Sequence, residues 1–236
     1  MIVEGYREVR RALDNRHVPA TLFLCREMFQ GSNEDSLIRA CGDAGTRLIE
    51  CTASVFAKLS YRDRPDGLLA VAPQLRGTLA DLSPSSPSLI VVAESIEKPG
   101  NLGTILRSAD AVAADAVLVC DRCTDVSNPN VVRASVGALF CLPVIETAST
   151  DAQAWLHARG FRIAAATPHA DAIYTDADLT GDVAVAVGSE QYGLSSHWLD
   201  RADIRVRIPM RGQCDSLNVA SATTLLLYEC LRQRAG

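Results

Sequence analysis

At 236 residues, with 48% apolar and 22% charged side chains, the chain is too long for a disulfide-stapled mini-protein and too apolar to be disordered; two modest α/β domains are the working expectation. No apolar run approaches the roughly 20 residues of a membrane span, and the opening MIVEGYREVRRAL lacks a signal-peptide pattern, so a cytoplasmic protein with no membrane partner is expected. The net charge of −5 argues against a general polyanion binder, yet residues 1–80 hold 11 Lys+Arg against 10 Asp+Glu and residues 81–236 hold 12 against 18, which directs a search for RNA contacts to the N-terminal part.

In chain order, turn and periodicity signals predict a helix over 4–14, a strand at ATLFLC (20–25), a helix over 33–44, a strand at TRLIECT (46–52), a short helix over 53–59 and a strand at GLLAVA (67–72). This is a small α/β domain, taken as residues 1–75. The segment 73–88, PQLRGTLADLSPSSPS, gathers Pro, Ser and Gly, and 76–87 is read as a linker. Apolar strands follow at 88–95, 116–120, 142–146, 162–167, 183–188 and 204–209. Their continuous hydrophobicity implies burial on both faces, hence a mostly parallel sheet with helices on both faces, in a domain over 88–236. Asp151 is expected to cap AQAWLHAR with Gly160 as its stop, and Ser216 or Asp215 to cap a final helix through LNVASATTLLLYECLRQR.

Eight cysteines, several inside apolar runs, read as small core residues of a reduced compartment. The pair Cys120 and Cys123 has no second CxxC and no nearby histidine, so no metal site is expected.

Four segments could carry chemistry. In ESIEKPGNLGTILRSAD (94–110) a strand breaks at Pro99-Gly100 and a helix begins near Asn101 or Leu102, with Arg107 about a turn and a half inside it; helix N-termini at such sheet edges supply free N–H donors. In VGSEQYGL (187–194) a buried strand ends at Gly188, where backbone can approach a ligand, and Glu190 brings a carboxylate to the same edge. In IPMRGQCDSLNVAS (208–221) Ser216 is an ordinary cap, but Asn218 is a poor choice for a first helical turn, and a broken local preference points to function. In NPNVVRASVGA (128–138) Arg133 stands on an otherwise apolar helix. Neither GxGxxG nor the P-loop spacing is present, which speaks against a nucleotide-dependent oxidoreductase with a doubly wound sheet.

Together these segments resemble the three motifs of the SpoU/TrmH-type RNA 2′-O-ribose methyltransferases of the SPOUT superfamily: PGNLGTILRSADA, VGSEQYGL and IPMRGQCDSLNVASA, in family order over about 88–232. Residues 1–75, with VEGYREVRRAL, look like the substrate-binding domain that many members carry ahead of the catalytic one. The resemblance implies a deep C-terminal trefoil knot, a homodimer and S-adenosylmethionine as cofactor, with no metal. Carried over by position, Thr167, Gly188, Ile208, Met210 and Leu217 match cofactor-holding residues, and Asn101, Arg107, Glu190, Ser216 and Asn218 match the polar site where a ribose 2′-OH attacks the methyl group.

A guanidinium is a poor base, so Arg107 is assigned to gripping phosphate and stabilising developing alkoxide charge. Arg7, Arg10, Arg11 and Arg133 are the RNA-binding candidates, with Arg62 and Arg64 beside them. The implied substrate is RNA, ribosomal RNA ahead of tRNA. The alternatives are an RNA-binding module of the same fold without catalysis and methylation of a base nitrogen.

Overall fold

Two runs of strands, separated by residues 72–88, close into two separate sheets. A computed structural model describes residues 1–84 and 86–235; Ser85, inside the expected linker, and Gly236 lie outside the described residues. The first sheet is built from β1 (Ile2–Glu4), β2 (Thr21–Leu24), β3 (Arg47–Glu50) and β4 (Leu68–Val71) in the order β1-β4-β2-β3, with only β2 and β3 parallel. Helices α1 (Tyr6–Asp14), α2 (Glu34–Asp43) and α3 (Ala53–Leu59) connect its strands. The helix expected from residue 4 is corrected here: Ile2–Glu4 pairs with β4, the chain turns at Gly5 (φ +112°), and α1 starts at Tyr6. The intervening segment carries one short 3₁₀ turn, Leu79–Asp81, whose first N–H groups are satisfied by a Thr78–Asp81 capping box.

The second sheet contains β5 (Leu89–Glu94), β6 (Ala116–Cys120), β7 (Val144–Thr147), β8 (Arg162–Ala166), β9 (Ala172–Ile173), β10 (Val183–Val187) and β11 (Ile204–Arg207). Its order is β7-β6-β5-β10-β8-β11-β9 and every pairing is parallel. Helices α4 (Pro99–Ala111), α5 (Pro129–Ser135), α6 (Ser149–Ala158), α7 (Ser196–Leu199) and α8 (Val219–Arg234) complete it. All residues of β5, β6 and β10 are buried, because alternate side chains enter different cores. Leu89, Val91 and Ala93 pack with Leu102, Val132 and Leu227 of α4, α5 and α8. Ile90 and Val92 pack with Trp155, Leu156 and Trp198 of α6 and α7. The first of these cores also takes in Val3, Val9 and Leu22, so the two sheets share one apolar interior.

Helix α4 buries Leu102, Ile105, Leu106 and Ala109, the i, i+3, i+4, i+7 face of a helix lying on a sheet. Each fully buried Leu or Ile there stabilises by about 1.5–3 kcal/mol. Gly103 sits on the seam with α5, where a Cβ would come within 2.5 Å of the Ala134 Cβ and 2.7 Å of the Val131 carbonyl.

Three further helix starts differ from the sequence reading. Helix α4 begins at Pro99, whose missing N–H costs nothing at the first position, so Asn101 stands in the first turn and Arg107 more than two turns in. Helix α6 begins at Ser149, with Ala148 at the cap position and Asp151 inside the first turn, although Gly160 (φ +75°) does follow its end. Helix α8 is capped by Asn218, not by Ser216 or Asp215: its side-chain oxygen accepts from the N–H groups of Ala220 (3.1 Å) and Ser221 (3.4 Å). Asn218 therefore breaks no local preference; it stands where Asn is favoured.

Candidate active site

The strand order reverses between β5 and β10, and crevices in parallel sheets open at the carboxyl ends of strands beside such a switch. A cavity of about 680 Å³ lies there, walled by the ends of β8, β10 and β11 and by the loops that follow them. Thr167, Gly188, Ile208, Met210 and Leu217 all line it, together with Glu190 and Ser216. Its volume falls in the range of about 300–1,000 Å³ common for small-molecule sites. The apolar walls of Leu194, Leu199, Ile208 and Leu217, with few charged groups, suit a nucleoside-bearing cofactor.

Gly188 has a more specific reason than access for a ligand. A Cβ there would lie 2.1 Å from the Gly193 carbonyl oxygen and 2.3 Å from the Leu194 nitrogen, so the loop 189–194 folds back directly onto the strand end. Ser189 bridges to Gly193, and the Tyr192 N–H donates to the Ser189 hydroxyl at 3.1 Å. Glu94 anchors the far end of this loop. Buried at the carboxyl end of β5, it accepts from the Ser195 N–H (2.7 Å) and hydroxyl (2.6 Å), and from the Ser149 hydroxyl (3.5 Å), which in turn accepts from the Trp198 indole at 2.9 Å.

Three of the five expected polar site residues form one cluster at the cavity mouth. The Asn218 amide nitrogen donates to Asn101 Oδ1 at 3.0 Å and to Glu190 Oε1 at 2.5 Å, while its oxygen caps α8. Glu190 also pairs with Lys98, a residue the sequence reading assigned no role. The Lys98 hydrogen bond is the main reason the Glu190 carboxyl lies below its ordinary value of 4.5; desolvation works against it, and the amides of Asn101 and Asn218 add to it. Glu190 in return pushes the Lys98 ammonium above its ordinary 10.5.

Arg107 and Ser216 stand apart from this cluster. Ser216 lines the cavity, and Arg107 is exposed on α4 and does not. Neither side chain has a hydrogen-bond partner among the described residues. Of the arginines assigned to RNA, Arg10 pairs with Asp14 at 2.9 Å and Arg11 donates to the Val136 carbonyl at 2.8 Å, so both are engaged within the protein. Arg7 and Arg133 are exposed and line a second cavity together.

The residues missed were Lys98 and Glu94. One is among only two lysines in the chain; the other is an acid closing a six-residue apolar strand. Among the described residues no group of three or more His, Cys, Asp or Glu is placed to hold a metal ion, and no helix is long and apolar enough to cross a membrane. Cys120 and Cys230 are buried and burial pushes their thiols up, that of Cys230 to about 11, as core residues rather than reactive ones.

Comparison with known proteins agrees with this geometry. Residues 88–228 match the SpoU rRNA Methylase family, and residues 1–70 match the MRM3-like substrate binding domain. The chain is 35% identical over 196 residues to the 23S rRNA (uridine(2479)-2′-O)-methyltransferase of Streptomyces viridochromogenes, covering 70% of this chain and 67% of that one. A crystal structure of an RNA 2′-O ribose methyltransferase superposes with a TM-score of 0.87 at 41% identity, covering 100% of this chain and 89% of that one. The SpoU methyltransferase AviRb from Streptomyces viridochromogenes, in complex with the cofactor AdoMet, superposes with a TM-score of 0.89 at 30% identity over 100% of this chain and 90% of its own. The chain belongs to the SpoU rRNA methylase family, with an MRM3-like substrate-binding domain ahead of the methylase domain.

Proposed function

We propose that the chain is an S-adenosylmethionine-dependent RNA methyltransferase acting on a ribose 2′-OH, in ribosomal RNA ahead of tRNA. The observation that carries this reading is that Glu190 belongs both to the cofactor-sized cavity and to the Asn101–Asn218–Lys98 cluster at its mouth. Thr167, Gly188, Ile208, Met210 and Leu217 hold the cofactor, which supplies an electrophilic sulfonium methyl when bound. The folded-back loop 189–194 and the apolar walls keep water from that methyl and fix its line of approach. Asn218, locked by its cap and its two acceptors, sets the Asn101 amide, and Glu190 fixes the loop from the other side. Ser216, free to rotate, positions the 2′-OH. Arg107 grips the neighbouring phosphate and stabilises the alkoxide as it develops.

Because Arg107 is exposed and outside its own chain's cavity, its guanidinium serves the partner's site in a homodimer. The exposed Leu225, Tyr228 and Leu231 of α8 fit the apolar side of that interface. Residues 1–75 bind RNA, 76–87 link, and 88–236 form the methyltransferase domain with its C-terminal knot. The chemistry needs no metal, and the cytoplasm is where its RNA resides.

The deciding experiment transfers labelled methyl groups from S-adenosylmethionine to separated, unmodified rRNA and tRNA, followed by alkaline hydrolysis. A labelled alkali-resistant dinucleotide from rRNA is expected. Label in a single nucleotide would move the target to a base, and cofactor binding without transfer to either RNA would leave a non-catalytic binding module. Light scattering tests the dimer: full activity from a monomer at micromolar concentration would refute it.

A further inference from the structure

The second cavity, of about 790 Å³, lies where the first sheet's connections meet α5, and four guanidiniums converge on it: Arg7, Arg62, Arg64 and Arg133. Arg62 is committed, donating to the Glu4 carbonyl and to Glu8 Oε1, each at 2.6 Å, yet its buried Nε has no partner. Arg7, Arg64 and Arg133 have no side-chain hydrogen-bond or ion-pair partner among the described residues.

Four carboxylates line the same hollow, but three are consumed by the protein. Glu8 is held by Arg62, and burial raises its carboxyl above the ordinary value. Glu34 is buried and accepts the Gly31 N–H at 2.7 Å; Asp66 accepts the Tyr6 N–H at 2.9 Å. Asp63 alone has no hydrogen-bond partner; the lining balances four guanidiniums against four carboxylates, but the unpartnered donors all belong to Arg7, Arg64 and Arg133, apart from the buried Arg62 Nε.

Arg7, Arg64 and Arg133 come from distant segments to one concavity with their guanidinium donors unpartnered, a set of forks that a bound oxyanion can satisfy together. The wall they share is strained as well. Val136 adopts φ +53°, a left-handed conformation that a β-branched residue rarely takes, and Arg11 holds its carbonyl from across the domain boundary. Residues kept in such conformations are over-determined by their surroundings and concentrate at ligand sites.

We propose that this cleft is a phosphodiester site for single-stranded RNA, with Arg7 and Arg64 from the first domain and Arg133 from α5 gripping successive phosphates. The guanidinium fork matches phosphate bidentately. The site exists only when both domains are seated together. Because α5 packs on α4 at Gly103, one turn before Arg107, the helix holding the RNA backbone touches the helix of the polar cluster. The identity of the polymer rests on the methyltransferase reading above; the phosphate site itself does not.

The test measures binding of a fluorescein-labelled 12-nucleotide oligouridylate by anisotropy across a salt series. Each phosphate neutralised on a single strand adds about 0.7 to the slope of log K against log salt. The triple variant R7Q/R64Q/R133Q is therefore expected to lose about 2 from the slope and to bind at least about tenfold more weakly at low salt. Its affinity for S-adenosylmethionine should be unchanged. The single variant Asp63→Asn, which removes the opposing charge and leaves every arginine in place, should bind the oligonucleotide more tightly. Equal slopes for the natural and triple-variant chains would overturn the proposal, as would failure of the natural chain to bind at 50 mM salt, or no tightening in Asp63→Asn. Loss of slope in a chain that methylates no RNA would leave the phosphate site standing and remove the enzymatic reading instead.

Discussion

Gly188→Ala is the sharpest probe of the cofactor cavity, because the glycine is required by space alone. The new Cβ would meet three backbone atoms, the Gly193 oxygen at 2.1 Å, the Gly193 carbon at 2.2 Å and the Leu194 nitrogen at 2.3 Å, more than an ångström inside ordinary contact. None of these atoms ends a flexible side chain, so the overlap is relieved only by moving the loop 189–194 off the strand end, and that loop is one wall of the cavity. Overpacking of this kind costs about 1–3 kcal/mol. For a chain of this size each kcal/mol lowers Tm by roughly 2–4 °C. The same shift displaces Leu194 and Glu190, so affinity for S-adenosylmethionine should drop at least about tenfold, a change of about 1.4 kcal/mol. Calorimetric titration and thermal unfolding of the purified variant measure both. An Ala variant with unchanged Tm and cofactor affinity within twofold would refute the steric argument and the assignment of this cavity together.

Asn218→Ala should lose about 1 kcal/mol from the missing cap, whereas Asn218→Asp keeps the capping oxygen but replaces the donor to Asn101 and Glu190 by a second carboxylate; methyl transfer should fall in both, and an Asp variant as active as the natural chain would sink the bridging role. Glu94→Ala, which strands the Ser195 donors around a buried hole, should cost about 2–3 kcal/mol in urea unfolding, and a loss below about 0.5 kcal/mol would show that the network is dispensable. Since Glu190 is held below 4.5, its contribution is fully present above that pH and is lost only as pH falls through the lowered value; Lys98, raised above 10.5, keeps its charge until more alkaline pH. The pH–rate profile between 5.5 and 9 should therefore show no limb that Glu190→Gln abolishes. Arg107→Lys should lose most activity with cofactor affinity intact; retention would support a deprotonated base.

The apolar strands were legible because burial on both faces leaves an uninterrupted run: β6 was expected at 116–120 and lies at Ala116–Cys120. Ile2–Glu4 and Ala172–Ile173 were not, since three and two residues carry no period. Asn218 reads in the sequence as an unfavoured first-turn residue, whereas it is the cap itself. Ser216 offers a cap two residues earlier, but Asn218 is itself still non-helical (φ −51°, ψ 137°) and the helix begins only at Val219. The pairing of Lys98 with Glu190 joins residues 92 apart, and contacts of that range leave no mark on local pattern. Adjacent Arg10 and Arg11 look alike in sequence, yet one pairs within its helix and the other reaches a carbonyl 125 residues away.

The placement of β5 between β6 and β10 has a consequence for how the chain is made. Leu89 finds its register partner only at Val183, so this interior strand of the methylase sheet has one edge open until that residue has left the ribosome. At about 5–20 residues per second the wait is on the order of 5–20 s. The first sheet, whose strands all lie within the first 71 residues, can close long before. During that interval the edge of a strand apolar from Leu89 to Ala93 is exposed, the form of nascent chain that invites edge-to-edge pairing. Variants that slow the arrival of β10 should therefore be read out first as reduced soluble yield, ahead of any change in the activity of the molecules that do fold.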